Sequence, residues 1–265
     1  MTTSVYRTTY RKAAISIPFE SDEVYVPAED SQLTADCACE AVCGTVAVLS
    51  DNSQASSVSG TSQDHSGSVK KQSPCLFDLK DEIRVLEIGC GSGFVSAVLS
   101  AEVRAFSEDP AHPERRRKKM ILTACDISPA ALEQTEKCVS GDTGIRPDHF
   151  RLIRSDLFSA FSPDDRFDLI IFNPPYLPTS EDEKVPGWLN YAFDGGLSGR
   201  DTIDRFLENA AAHLLPGGSV LLLISSITGP DEVSEKMSRC GLSSEIAGTV
   251  RCSFEELMVL RGHLL

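Results

Sequence analysis

The chain has 265 residues, enough for one large domain or two small ones, and 41% of them are hydrophobic, which can supply a sizeable core. A formal net charge of −14 argues against a broad nonspecific nucleic-acid face, which needs a basic field, and leaves a small ligand or a protein substrate. No apolar run approaches the roughly 20 residues of a membrane-spanning helix.

Residues Met1 to Pro18 lack acids and carry Arg7, Arg11 and Lys12. That composition resembles a transit peptide weakly, and a disordered terminus over 1–20 is the simpler expectation. One domain is expected over 21–265, interrupted by two inserted loops. The first, 44–73, is largely Ser, Asp, Gln and Gly, with too little apolar surface to offset its ordering entropy. The second, 107–119 ("SEDPAHPERRRKK"), is a charged turn whose basic run is read as solvated, with an acidic partner as the alternative. The nine cysteines are scattered and form no CxxC pair, and Cys37, Cys39 and Cys43 have no His nearby. No metal is expected, and reduced thiols point to a cytoplasmic protein, with the nucleus as a second address.

From "IRVLEIGC" onward, strands and helices alternate. A strand at Ile83 to Ile88 precedes a helical "GFVSAVLSAEV", and a second strand spans Ile121 to Ile127. Ser128 and Pro129 supply an N-cap and a first-turn proline for the next helix. "FRLIRSDL" and "FDLIIFN" read as the third and fourth strands. A helix over "DTIDRFLENAAAHLL" is expected to stop at Pro216-Gly217-Gly218, before a fifth strand, "SVLLLIS". A helix from about Asp231 to Arg239 follows. The last two strands, "SSEIAGTV" and "ELMVLRGHL", have no helix between them and predict an antiparallel hairpin. Repeated β-α-β units with strands apolar on both faces predict a parallel sheet covered by helices.

The turn "LEIGCGSGF" places Gly89, Gly91 and Gly93 between strand one and its helix, where backbone and helix amides can approach a ligand. The dinucleotide spacing GxGxxG is not met from either Gly89 or Gly91, so a tightly packed pyrophosphate is disfavoured. GxGxG with Glu87 two residues upstream instead resembles the first motif of class I S-adenosylmethionine-dependent methyltransferases. Asp126, at the end of strand two, is placed to accept ribose hydroxyls. Asp156 ends strand three and resembles the methyltransferase acid that meets the adenine amino group. A cap or turn role is the plain alternative for each Asp.

"FDLIIFNPPYLPT" stops a buried strand at Asn173. Pro174 cannot donate to a ladder and Pro175 restricts it, so the corner is stiff and sits at the ligand-binding edge of the sheet. The Asn173 side-chain oxygen and the Pro174 carbonyl can converge on one NH₂ group, and Tyr176 can cover the flat group that bears it. Such an amine is a poor nucleophile, and two acceptors orient it and favour charge development as it attacks. NPPY is shared by methyltransferases acting on planar NH₂ groups of adenine, guanine or protein glutamine.

"VYVPAEDSQLTADC", Val24 to Cys37, and "WLNYAFDGGLSGRDTIDRFLENAAAHLLPGGSVLLL" are similar to the flanking segments of the eukaryotic and archaeal HemK-like glutamine methyltransferases. The resemblance implies a class I, Rossmann-like fold: a seven-stranded, mostly parallel sheet with helices on both faces and a C-terminal antiparallel hairpin. It also implies N5-methylation of the GGQ glutamine of a class 1 translation termination factor, with S-adenosylmethionine as cofactor. Tyr25, Glu29, Asp30, Glu87, Gly89, Gly91, Gly93, Asp126, Asp156 and Asn173 match cofactor contacts. Asn173, Pro174, Pro175 and Tyr176 match the glutamine clamp, and Gly195, Gly196, Gly199 and Arg200 a loop near the substrate entrance. Too few residues precede Tyr25 for the amino-terminal helical domain of the bacterial relatives, so that domain is expected to be absent. The resemblance further implies a heterodimer, with a small zinc-binding activator subunit added to the sheet edge at 149–157. Two alternatives stay open at this point: an adenine methyltransferase acting on DNA or RNA, and a noncatalytic cofactor-binding scaffold.

Overall fold

The computed structural model describes residues 4–19, 24–46, 74–140, 149–184 and 187–265. Most of the expected 44–73 loop therefore lies outside the described residues. Along the chain run β1 (Ser4–Tyr10), β2 (Ala13–Phe19), α1 (Glu29–Cys43), α2 (Leu76–Leu79), β3 (Glu82–Ile88), α3 (Phe94–Ser107), β4 (Lys119–Asp126), α4 (Pro129–Val139) and β5 (Phe150–Arg154). Then come β6 (Phe167–Phe172), α5 (Asn190–Phe193), α6 (Asp201–Ala210), β7 (Leu214–Ser225), α7 (Pro230–Arg239), β8 (Glu245–Arg251) and β9 (Glu256–His263).

Seven strands form one sheet in the order β5-β4-β3-β6-β7-β9-β8. The first five are parallel, and β9 runs antiparallel to both β7 and β8, as the missing last helix implied. Alternation along each central strand divides the core. Ile83, Val85, Leu169, Ile171, Leu221 and Leu223 face one cluster with α1, α3 and α4. Leu86, Ile88, Ile170, Phe172, Leu222 and Ile224 face the other with α6 and α7. All six residues of β6 are buried; five are apolar, and the sixth, Asp168, pairs with Lys80 and accepts from the Arg84 N–H.

Two expectations are corrected. Residues 4–19, expected within a disordered terminus, form the antiparallel β1–β2 hairpin. The stabilising contacts lie far away in the chain. Tyr10 packs on Phe94 at 5.5 Å between ring centroids and donates to Asp36. Arg11 pairs with Asp36 at 2.9 Å and donates to the Thr45 carbonyl at 2.7 Å, while Ala13 and Ile15 are buried. Second, Pro216-Gly217-Gly218 does not separate helix from strand. The helix ends at Ala210, and β7 already begins at Leu214, with the Pro-Gly-Gly inside it as a shift in register against β6.

Much of the charged 107–119 turn is used internally. Arg115 lies 4.2 Å over the Phe106 ring and pairs with Asp109, and Arg117 and Lys118 both reach Asp81.

Candidate active site

The strand order reverses between β3 and β6, the place where open α/β sheets bind ligands. The glycine turn leaves the end of β3 there, and Asn173 leaves the end of β6 beside it. Gly89 has φ +65°, and a β-carbon on it would come 3.3 Å from the Phe172 ring, so turn and corner are packed against each other. Gly93 serves a different need. A β-carbon there would come 2.7 Å from the Thr135 backbone, so Gly93 lets α3 close on α4.

A cavity of about 690 Å³ opens at this point, and Tyr25, Asp30, Glu87, Gly89, Gly91, Asp126, Asp156, Asn173, Pro174 and Pro175 line it. Gly93, Glu29 and Tyr176 are not among its lining residues. Glu29 is exposed at the start of α1. Tyr176, expected over a flat substrate group, instead packs half-buried between the two cores, and burial raises its phenol pKa. Its place is that of a wedge behind the corner.

Each acid of the cavity has a distinct environment. Glu87 is buried and accepts a short hydrogen bond from the Ser96 hydroxyl. Burial pushes its carboxyl up to about 8. Asp126 accepts from the backbone N–H of Gly91 at 3.0 Å and of Ser128 at 2.9 Å, one on each oxygen. Each oxygen keeps a second lone pair for a ligand. Burial raises Asp126 as well. Asp156 is exposed and ion-paired to Arg205 of α6 at 2.7 Å.

The Glu87 shift has a consequence for folding. Its folded value exceeds its ordinary value of 4.5, so the native state holds the proton more tightly. The stability from this group is fully present below about 4.5 and is lost as pH rises through about 8. Glu87→Gln, which stays neutral, is expected to flatten that decline. Urea unfolding of both proteins across this pH range measures it; parallel curves would contradict the assignment.

The corner is held from both sides. Asn173 Nδ2 donates to Asp30 Oδ2 at 3.1 Å, while Asn173 Oδ1 is buried with no hydrogen-bond partner among the described residues. Leu177 N–H donates to the Phe193 carbonyl, and Gly195 and Thr179 bond back in the same way, so residues 193–196 brace the corner. Gly196 lines the cavity, and Arg200 is drawn away to the Thr228 carbonyl at 2.6 Å. Sequence reasoning missed Arg205, Lys184, Trp188 and Tyr191, all in the lining. For the two aromatics, the signal was the "WLNYAF" stretch after the clamp.

A reversed strand order with a glycine cradle, acids at successive strand ends and a cavity between them defines a class I S-adenosylmethionine-dependent methyltransferase. The methyltransferase small domain family matches residues 74–185. A Methanocaldococcus jannaschii protein named "Putative protein N5-glutamine methyltransferase" is 38% identical over 187 residues, covering 71% of this chain and 84% of the relative. Methyltransferase HEMK2 of Mus musculus is 29% identical over 178 residues, covering 66% of this chain and 75% of the relative. The fold also matches the T. thermophilus 16S rRNA N2 G1207 methyltransferase, solved with AdoMet and guanosine. The TM-score is 0.56 at 15% identity, covering 100% of this chain and 50% of that one. The chain belongs to the HemK-like protein N5-glutamine methyltransferases, enzymes that use S-adenosylmethionine. The residues present fit that cofactor: a glycine cradle without side chains in the way, Asp126 with a spare lone pair on each oxygen, and a buried amide oxygen without a partner among the described residues.

Proposed function

We propose that this enzyme methylates the side-chain nitrogen of the GGQ glutamine in a class 1 translation termination factor. The observation that carries the reading is the Oδ1 of Asn173, a residue of the cavity wall: it is buried and has no hydrogen-bond partner among the described residues. An acceptor in that state costs free energy until a donor arrives, and a primary amide brings one. Release factor glutamine methyltransferases of several bacteria are among the relatives; that of Koribacter versatilis is 35% identical over 155 residues.

In this reading the glutamine NH₂ donates one hydrogen to Asn173 Oδ1 and the other to the Pro174 carbonyl. Both hydrogens are then held, and the nitrogen lone pair is turned toward the cofactor side of the cavity. When bound, S-adenosylmethionine supplies an electrophilic methyl group on a sulfonium. Positive charge growing on the nitrogen as it takes the methyl group would be stabilised by the two oxygens, with the thioether as leaving group. One N–H proton then leaves to water. Glu87 and Asp126 hold the cofactor's amino-acid and ribose portions in this reading, and Asp156 its adenine.

The rim favours a polypeptide over a nucleic acid. Val26, Tyr191, Leu197, Ile227 and Phe254 are large exposed apolar side chains, with Leu197 82% and Phe254 98% accessible. They sit on segments that meet at the carboxyl edge of the sheet. Phe254 reaches it because β9 is antiparallel, placing Leu257 opposite Ser225. The test is mass spectrometry of the termination factor after incubation with the enzyme and cofactor. A gain of one methylene on the GGQ glutamine supports the reading, and methylation of adenine in DNA instead would overturn it.

The same reading includes the small zinc-binding activator subunit. Among the described residues, β5 is an edge strand paired with β4 alone, and its Phe150, Leu152 and Ile153 are half-buried. An apolar edge of this kind invites a strand from a partner and aggregates without one. Expressed alone, the chain is expected to aggregate, and to become soluble with the activator. A soluble, fully active monomer, measured by light scattering and methyl transfer, contradicts the partner.

A further inference from the structure

We infer that Asp30 is a positioning residue that fixes which end of the Asn173 amide is left to accept a hydrogen bond. This rests on the reading of Asn173 Oδ1 as an acceptor for the substrate amide.

The carbonyl and NH₂ ends of an asparagine are nearly the same size, and rotation about the last bond exchanges them. The exchange would be ruinous here. An NH₂ end in place of the oxygen would set donors against the donors of a glutamine amide, and no acceptor would remain. The stiff Asn-Pro-Pro backbone cannot prevent this, because it does not act on the amide rotation. A neighbour that only accepts does prevent it, and a carboxylate has no hydrogen to offer. Asp30 Oδ2 stands 3.1 Å from Asn173 Nδ2.

Asp30 is itself held. Its side chain is buried, and its other oxygen accepts from the Ser31 N–H at 2.6 Å and from the Tyr25 hydroxyl at 3.2 Å. Tyr25 is braced edge-on by Phe193 at 5.5 Å. Asp30 also lies in the first turn of α1, where the helix dipole favours an acid. Both oxygens of Asp30 thus accept hydrogen bonds within the protein, as a support for Asn173 requires.

The test compares Asp30→Asn, Asn173→Ala and the double variant in the full chain, purified with its activator. S-adenosylmethionine and a Gly-Gly-Gln peptide are the probes. Asp30→Asn is nearly isosteric but no longer dictates the amide, and kcat is expected to fall about 10- to 100-fold. The dissociation constant of S-adenosylmethionine, measured by calorimetry, should move by less than about threefold. In the Asn173→Ala background, Asp30→Asn should change kcat by less than about twofold, because residues acting as a unit are not additive. A full loss in both backgrounds, an unchanged kcat, or a matching loss of cofactor affinity would overturn the inference.

A second measurement needs no Asp30 variant. The Asn173 side-chain NH₂ resonance, identified by its absence in Asn173→Ala, should exchange slowly with solvent in the wild-type protein, and exchange at the rate of a free amide would also overturn the inference. Wild-type protein that binds cofactor and shows the protected amide, yet leaves the peptide unmethylated, would defeat the substrate reading alone.

Discussion

Asn173→Ala is expected to lower kcat by about 10²- to 10³-fold, the usual cost of removing one preorganised partner of a developing charge. The side-chain oxygen has no protein partner to lose, so folding should suffer little from its removal. Loss of Nδ2 leaves Asp30 Oδ2 short of one donor, which costs some stability but not the site. The oxygen acts more strongly as the nitrogen gains charge, so kcat and kcat/KM should fall together while the peptide KM moves less. Asn173→Asp should be at least as damaging, because it sets a second carboxylate against Asp30 and deletes the donor that joins them. Single-turnover methyl transfer to the Gly-Gly-Gln peptide measures this; undiminished turnover in the alanine variant would remove Asn173 from the mechanism.

Phe206→Ala should cost about 3–5 kcal/mol, a large part of the 5–15 kcal/mol by which a domain of this kind is stable. Phe206 is fully buried on α6, stacked with Phe158 at 5.6 Å and tilted against Phe172 at 4.8 Å. Phe172 is the residue before Asn173, and its ring also meets the glycine turn. The cavity left by truncation therefore lies directly behind the corner. Activity should fall at temperatures where the variant is still folded, because the corner can then shift by the fraction of an ångström that positioning cannot tolerate. Phe206→Leu keeps most of the volume and should restore most of both losses. Chemical denaturation and kcat at one low temperature distinguish the effects; a variant as stable as wild type would show that the ring carries little of the packing.

The local signals in the chain were sufficient for much of the architecture. Largely apolar segments mark β3, β4 and β6, because a strand covered on both faces takes apolar residues at most of its positions. Glycines with an acid upstream mark the turn. Two prolines mark the end of β6, and the lack of a helix after β8 marks the antiparallel pair. In each case the cause lies within a few residues, where backbone sterics and period-two burial act.

Other features depend on partners far along the chain. The β1–β2 hairpin reads as disorder from its lack of acids and its Arg7, Arg11 and Lys12, and it is ordered by Asp36 and Phe94, residues on helices further along the chain. Tyr176 was legible as an aromatic beside the clamp, yet only the tertiary packing shows it wedged, partly buried, between two cores. Asp156 was legible as a strand-end acid, but its partner Arg205 comes from α6, 49 residues on. Asp30 and Asn173 are 143 residues apart. Composition and short-range pattern thus determined the strands, the glycine turn and the corner that bears Asn173. Tertiary structure decided which way that amide points, since a rotation about one side-chain bond leaves no trace in local sequence and is set only by the neighbour that folding brings alongside.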